Sequence, residues 1–506
     1  MDYSLSVWSI ASYIEANIKD DITSEHLEKI TGFSYRHIRT IIKENTGLSL
    51  SKYILNRKIS HAAYEMVHSN KQITDIAFEY NFNSYDSFAR AFKRVTEMSP
   101  KAFKEGKYKV GHRRILMGFY GPEVFIETDS TYTHPSILED YDMNKRVSKE
   151  KDSCILYGVT KVAYSFEEST PLAMSIKSAL NYLGEEIDYT NILSAMGAAF
   201  RLRWNKDYWD GGNIDVLNIY SSQYEVVNKS FASAGYDYNI FYRYSSSKDQ
   251  FKDIIKSEIN QGKPVIALGI IGPPEAGVIC GYQDDGETLL GWNVFQEQKD
   301  MVGEVVLHDN GYYTTKTWWD NPSTFAIITI GKNKNDKTSN LEILKNGYEI
   351  LTTTDIDVAT ETGKIRDHFH GGVKAYDAWE EAITDDSQFG HELITPLKIE
   401  KLMCQGDAQA MVGEGRYYAA VFMKRIAKEY PAVSELALKA ADEFRSSSDA
   451  ALKMNELRGG FLQSEETLNK FMDSEVRRKT ALLVKKAKEH EIAATNYISE
   501  ILKKVS

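Results

Sequence analysis

The sequence predicts a multidomain protein in which three architectures follow one another. These are an all-α segment with two helix-turn-helix units (residues 1–107), an α+β domain (152–335) and a C-terminal helical bundle (340–506), with a connecting segment at 108–151. Three observations carry this reading. A chain of 506 residues exceeds the roughly 100–200 residues of an ordinary domain. Apolar residues recur at spacings of three and four through the first hundred residues and again after Leu341, whereas short apolar runs bounded by glycine fill the stretch between. The charge is also divided. The whole chain carries 61 Lys and Arg against 72 Asp and Glu, a net −11, but residues 1–107 carry 15 against 13, which leaves −13 for the remainder.

A hydrophobic fraction of 42% excludes wholesale disorder. Cys154, Cys280 and Cys404 are too few for a disulfide scaffold, and none stands in a Cys-x-x-Cys pair, so a reducing compartment is expected. The start has no basic leader, and no run of about 18 apolar residues occurs, so the expected location is cytoplasmic with no membrane partner.

In the first helix-turn-helix unit, Ile22 to Ile30 opens on a Thr/Ser capping pair and continues at helical spacing. Thr31-Gly32-Phe33-Ser34 makes the turn, with Ser34 capping a helix from Tyr35 to Glu44 that buries Ile38, Ile41 and Ile42. Its outer face carries Arg36, Arg39, Thr40 and Lys43. The pattern recurs with Ile73 to Tyr80, a turn at Asn81-Phe82-Asn83-Ser84, and a helix from Tyr85 to Thr96. That helix buries Phe88, Ala91, Phe92 and Val95 and turns Tyr85, Asp86, Ser87, Arg90, Lys93 and Arg94 outward. Leu50 to Ser69 reads as one helical strut, able to hold two basic helices about 34 Å apart in successive major grooves.

The stretch ITDIAFEYNFNSYDSFARAFKRVTEMSPKAFK, Ile73 to Lys104, resembles the signature of the AraC/XylS transcriptional regulators, and residues 8–104 resemble their DNA-binding domain. The resemblance implies double-stranded DNA as a partner, RNA polymerase as a further one, and activation as the commoner outcome. By position it places base contacts on Arg36, Arg39, Thr40, Tyr85, Asp86, Ser87 and Arg90, while Lys43, Lys93 and Arg94 anchor phosphates. Asn81 stands where that family has glycine; asparagine tolerates the left-handed conformation the turn requires.

In residues 152–335, Cys154 to Val159, Pro264 to Ile270, Ala276 to Gln283 and Thr288 to Val294 read as strands, and Ala173 to Tyr182 as a helix. The phrases GKPVIALG and GVICGYQDDGETLLGWNVF resemble a papain-like cysteine-peptidase fold of the group that includes the butirosin biosynthesis H protein. The resemblance puts the nucleophile slot near Ala173-Met174, the histidine slot near Glu275 and the third slot near Asn293. A thiol and an imidazole are both missing there, so no enzyme activity is expected. Cys280 reads as a core residue. Five of the seven tryptophans lie between Trp204 and Trp319, and Arg203 to Gly212 reads as an aromatic loop. Trp204, Tyr208, Trp209, Glu275, Trp292 and Asn293 are therefore the expected pocket for a small-molecule effector, cationic or amphipathic given the acidic surroundings.

From Leu341 the strand signals cease, and helices are expected at Lys374 to Ile383, Leu397 to Gly406, Arg416 to Glu429, Ala432 to Ser446, Ser464 to Met472 and Glu475 to Lys504. The spacing of His368, His370 and His391 matches no metal motif, and no cofactor is expected. Such a bundle could close over the ligand or form a homodimer face. The whole reads as a ligand-controlled, sequence-specific transcription regulator. The alternative is a hydrolase or acyltransferase tethered to DNA, with an unrecognised nucleophile.

Overall fold

The computed structural model describes residues 10, 14, 18–19, 22–31, 33–46, 48–68, 71–96, 98–105, 109–111, 125–128, 131–133, 145–164, 168–297, 302, 304–308, 310–359, 364–390, 395–459 and 465–505. Val95, Gly32 and His391 illustrate the spread of the sequence reading across this range: Val95 is half-buried, whereas Gly32 and His391 lie outside the described residues.

Six helices make up the described N-terminal part: α1 (Ser24–Thr31), α2 (Tyr35–Thr46), α3 (Leu50–His68), α4 (Ile73–Glu79), α5 (Tyr85–Thr96) and α6 (Pro100–Glu105). Ser34 starts α2 by accepting the His37 N–H on its hydroxyl. Ser84 does the same for the N–H of Ser87 at the start of α5, as an N-cap serine does. Asn81 sits at φ +58, the left-handed value expected of it. Phe82, Phe88, Phe92 and Phe103 form a chain of edge-to-face and tilted rings, 5.1–5.4 Å between successive centroids. The 19-residue α3 touches α2, α4, α5 and α6, so both units hang on one strut about 28 Å long at 1.5 Å per residue. Charges reinforce the second attachment. Lys19 and Lys71 each bridge Glu65 of α3 and Glu79 of α4 at 2.6–3.1 Å. Burial pushes the Glu65 carboxyl up, but hydrogen bonds from Lys19, Lys71 and Tyr80 outweigh it and hold the group below its ordinary value.

The connecting segment contains strands. β1 (Lys109–Gly111), β2 (Phe125–Thr128) and β3 (Thr131–Thr133) pair as an antiparallel three-stranded sheet. β4 (Arg146–Lys149), expected to belong to an irregular linker ending at 151, pairs with β5 (Cys154–Tyr157) and so enters the large sheet.

That sheet has nine antiparallel strands. Its main order is β11-β12-β10-β9-β8-β13-β7, and β5 joins β9 at Tyr282 and Gly281, beyond the end of β8. The strands are β7 (Tyr236–Tyr242), β8 (Val265–Leu268), β9 (Ala276–Gln283), β10 (Thr288–Asn293), β11 (Val305–Leu307), β12 (Tyr313–Thr315) and β13 (Ala326–Asn333). Helix α7 (Pro171–Tyr182) packs on β9 and β8, with α8 (Tyr189–Ala195) and α9 (Tyr224–Ala234) beside it, while α10 (Lys248–Asn260) packs on β9 and β5. β8, β9 and β10 are buried almost end to end, which explains their continuous apolar sequence.

Three expectations fail here. Arg203 to Gly212 is not all loop: β6 (Arg203–Asn205) is a fully buried strand, and a 3-10 turn follows at Gly211–Ile214. The chain after 340 is not all helix, because α11 (Asn340–Thr352) leads to β14 (Asp355–Ala359) and β15 (Ile365–Gly371). β6 pairs with β15, so the proposed boundary near 335–340 does not separate two independent bodies. Short strands rich in charge, such as Ile365–Gly371 with its half-exposed pattern, carry too little apolar alternation to be read from sequence.

Beyond α12 (Gly372–Thr384) come α13 (Thr395–Glu429), α14 (Ser434–Arg458), α15 (Glu465–Met472) and α16 (Ser474–Val505). The break expected between Gly406 and Arg416 is absent. A Cβ on Gly415 would lie 3.0 and 3.1 Å from the carbonyl oxygens of Ala198 and Ala199, so this glycine admits a close backbone approach rather than ending the helix. Tertiary contact there offsets the roughly 1 kcal/mol that glycine costs a helix.

The helices are joined to the sheet domain through buried charge. Arg416 of α13 donates its Nε–H to Glu491 of α16 and its Nη1–H to the carbonyl of Arg201, 2.7 Å away. Tyr376 of α12 donates to the same Glu491 oxygen at 2.8 Å. Gln405, Gln409 and Asn455 continue the network from Trp379 to α14. Both charged side chains are almost wholly buried. Glu491→Gln, which leaves the arginine buried and uncompensated, should therefore destabilise the sheet-and-helix body by about 3–5 kcal/mol, read as a lowered denaturation midpoint in tryptophan fluorescence.

Candidate nucleic-acid interface and an enclosed acidic recess

α2 and α5 present the expected faces. Arg36, Arg39, Thr40 and Lys43 are exposed on α2, while Ile38, Ile41 and Ile42 are buried beneath them. On α5, Asp86, Arg90, Lys93 and Arg94 are exposed and Tyr85 is half-buried. Ser87 has a different task. Its hydroxyl donates to the Ser84 carbonyl at 2.8 Å and receives the Ser84 N–H at 3.3 Å, so it closes the α5 cap. Thr40 donates its hydroxyl to the Arg36 carbonyl at 3.2 Å and keeps its lone pairs outward. The two faces provide exposed guanidinium and ammonium groups on a pair of helices of the length that fits a major groove.

The second site lies where α13 crosses the 3-10 turn after β6. Glu275 ends a loop held by Asn321, whose amide donates to the carbonyls of Gly269 and Gly272 at 2.7 and 2.9 Å. Asp215 and Asp407 are close enough to raise the Glu275 pKa, and Arg201 is close enough to oppose them. Glu275 and Asp215 are half-buried, each keeping part of its surface open to water. Burial, aided by the two aspartates, lifts the Glu275 carboxyl from 4.5 to about 7. Burial lifts Asp215 as well, and lowers the Arg201 guanidinium to about 10. Arg201 is fixed by Nη2–H to the Ile214 carbonyl at 2.6 Å, and Asn213 by accepting the Asn205 N–H at 2.8 Å. Glu414, farther along α13, closes the start of α7: it accepts from the Ser169 N–H, the Thr170 hydroxyl and the Tyr189 hydroxyl at 2.6–3.0 Å.

A family model described as a helix-turn-helix domain matches residues 27–106. A solved structure of a transcriptional regulator with an AraC-type DNA-binding domain, from Chromobacterium violaceum, is 22% identical over 21% of this chain and 94% of that one, with a TM-score of 0.20. The HTH-type transcriptional activator AarP of Providencia stuartii is 32% identical over 95 residues, which cover 19% of this chain and 70% of that protein. The chain belongs to the AraC-type helix-turn-helix transcriptional regulators. The uncharacterized HTH-type transcriptional regulator YbfP of Bacillus subtilis is 31% identical over 104 residues, and one of Staphylococcus aureus is 30% identical over 95. The chain spans only 35% of the first and 13% of the second. No helix among its described residues is long and apolar enough to cross a membrane.

The six residues expected to line one pocket fall into separate surroundings. Trp204 is buried in β6, its ring 5.3 Å from Trp209 and 6.4 Å from Trp379. Trp209 already carries a cation, the buried Lys401 ammonium, 4.4 Å from its centroid. That face is thus filled from within the chain. Tyr208 is 54% exposed and bonded to Asp367 at 2.9 Å. Trp292 is core: its Nε1–H donates to the Val159 carbonyl, and its ring meets Tyr312 edge-on at 4.9 Å. Asn293 lies opposite Gly277 in the sheet, near Glu275, but its carbonyl oxygen caps the Phe295 N–H. Of the six, only Glu275 belongs to the acidic cluster with Asp215 and Asp407. Arg201, Asn213, Asp215 and Asp407 were missed, since they are scattered over some two hundred positions and no motif spacing joins them.

The three cysteines are buried, and burial raises each thiol above its ordinary value. Ala173 and Met174, at the resemblance's nucleophile slot, are buried in the first turn of α7. A hydroxyl–imidazole pair, Thr314 Oγ1 and His308 Nε2 at 2.9 Å, lies on the outermost hairpin of the sheet, away from the recess.

Arg90→Ala should cost about 1–3 kcal/mol in operator binding and relax specificity at one base pair, whereas Lys93→Ala should weaken all sequences alike and reduce the salt slope by about one. Ser87→Ala should instead lower stability by about 1 kcal/mol with base preference unchanged, which titrations against operator variants will show. Glu275 holds its proton in the folded state up to about pH 7 but only to about 4.5 when unfolded. Stability should then fall as pH rises through that window and level off above it. Glu275→Gln should accordingly be more stable than the parent at pH 8, by on the order of 1–3 kcal/mol, and nearly equal at pH 4.5, as measured by thermal denaturation at the two pH values.

Proposed function

We propose that this regulator is a sequence-specific activator of transcription, governed by a small molecule that occupies the recess around Glu275. One observation carries the reading. Glu275 and Asp215 bring like charges together under burial that raises both carboxyl groups, although Arg201 opposes the shift at both and Arg366 and the Leu217 N–H oppose it at Asp215, an arrangement that costs stability unless a bound partner compensates it. Activation is supported by the family's commoner habit and by the name of the Providencia relative, and it carries contact with RNA polymerase with it.

We further read the nine-stranded domain as a peptidase-like fold that has lost catalysis. In its favour are the packing of α7 on β9, Glu275 immediately before β9, and Asn293 opposite Gly277 on β10. These repeat the helix–strand–strand order of the slots, and the buried, high-pKa thiols are unfit as nucleophiles. An effector can shift the DNA-bound state only through unequal affinity for two arrangements of the chain.

Thermal scanning of the full chain against a small-molecule library tests the proposal. A true effector at 100 times its Kd contributes about 2.7 kcal/mol, a rise of about 3–4 °C in Tm for a body of this size. It should also change operator affinity, and Asp407→Asn should abolish both effects while leaving basal operator binding intact. Release of product from generic ester or amide substrates, lost on substitution of a cysteine, would overturn the non-catalytic reading.

A further inference from the structure

The nine-stranded sheet ends, among the described residues, in three edges: β4, β7 and β11. An edge strand presents a row of unpaired N–H and C=O groups, and proteins blunt such rows with charge, proline or brevity. Two of the three edges are blunted in this way. β11 is three residues long, and β4 carries the exposed Arg146 and Lys149. β7 has neither safeguard. It runs for seven residues, Tyr236-Asp237-Tyr238-Asn239-Ile240-Phe241-Tyr242, none of them fully buried, and its one charge, Asp237, is already paired with Lys334.

The register fixes which backbone groups of β7 are free. The Arg243 N–H donates to the Phe325 carbonyl at 2.9 Å, and the pairing continues in step from Tyr242 opposite Ala326 to Tyr238 opposite Ile330. Successive residues of an antiparallel strand bond to opposite sides, so Phe241 and Asn239 bond to β13, while Tyr242, Ile240 and Tyr238 turn their N–H and C=O groups to the open edge. Helix α9 holds that edge in place from one face of the sheet. Phe231 stacks on Tyr238 with centroids 5.2 Å apart, and Tyr224 meets Tyr242 edge-on at 5.7 Å. Asn239 is exposed.

The segment is complementary to itself. Antiparallel pairing of two β7 strands about a two-fold axis at Asn239 sets Tyr238 opposite Ile240, Tyr236 opposite Tyr242 and Asp237 opposite Phe241. The outward backbone groups then bond to one another, aromatic and branched side chains meet across the axis, and no like charges face each other. The same operation on β4 opposes Arg146 to Lys149 and repels. We propose that β7 is a dimerisation edge, through which two copies of this chain join their sheets by antiparallel β7 pairing centred on Asn239. Such a contact is isologous and closes on itself. It is independent of what the acidic cluster binds.

Sedimentation of the full chain at micromolar concentration should show a dimer. Asn239→Lys changes an exposed side chain, so the denaturation midpoint should stay as in the parent, but it opposes two ammonium groups at the axis. The dimer dissociation constant should rise by about tenfold or more, and added salt should reverse part of the loss. Across the axis the two Asn239 Cα atoms would stand about 4.5 Å apart, inside the span of roughly 4.4–6.8 Å that a disulfide bridges. Asn239→Cys under mild oxidation should therefore migrate as a covalent dimer, while the parent, whose three cysteines are buried, stays uncrosslinked. A monomeric parent overturns the proposal, as does a dimer whose dissociation constant Asn239→Lys leaves unchanged. Cross-linking through Val147→Cys on β4 or Leu438→Cys on α14, both exposed positions, with none through Asn239→Cys, would move the contact to another surface and overturn it too.

Discussion

Arg416 is the residue on which the larger body turns. Its guanidinium is paired with Glu491 in near-complete burial, and it also donates to the backbone of Arg201, so one side chain ties α13, α16 and the turn before β6 together. Such a pair is costly to bury and costlier to break, which makes it a poor source of net stability but a strict specifier of arrangement. Here it fixes the backbone that carries Arg201 against the helix that carries Asp407, and both residues act on Glu275. Gly415 serves the same end, since any side chain there would push the helix off the Ala198 and Ala199 carbonyls.

The recess and the DNA-reading helices obey opposite electrostatic rules. On α2 and α5 the arginines and lysines are exposed, well hydrated and of the sign that phosphates attract, so on DNA their energetic yield would come only on binding and would be weakened by salt. In the recess, charge is withdrawn from water, and the carboxyl pKa values respond by rising. A net charge of −11 averages these two regimes and describes neither.

How much could be read in advance follows from the range of the interactions. The two helix-turn-helix units were legible because capping serines, a left-handed asparagine and apolar spacing of three and four are all local. The continuous apolar strands β8, β9 and β10 were legible for the same reason. β6 and β15 were not: both are rich in polar residues, and the three-residue β6 is a strand because β15, itself paired with β14, lies beside it. The unbroken run of α13 through three glycines was equally hidden, because the contact that favours it comes from residues two hundred positions earlier. Among the pocket residues, tryptophan content misled. Large aromatic rings are as useful for filling a core as for lining a cavity, and Trp204, Trp209 and Trp292 spend their faces on Trp379, Lys401 and Tyr312.

The sequence by itself determined the N-terminal helix-turn-helix part, about a fifth of the chain: its helices, its turns, the residues turned outward, and the family they belong to. These rest on contacts within a few turns of chain, where spacing and propensity suffice. Only the tertiary structure decided that the remaining residues form one body rather than two and where that body concentrates its buried charge. Glu275, Asp215, Asp407 and Arg201 acquire their shared chemistry from proximity alone, and proximity across two hundred residues is set by packing, to which local sequence pattern is blind.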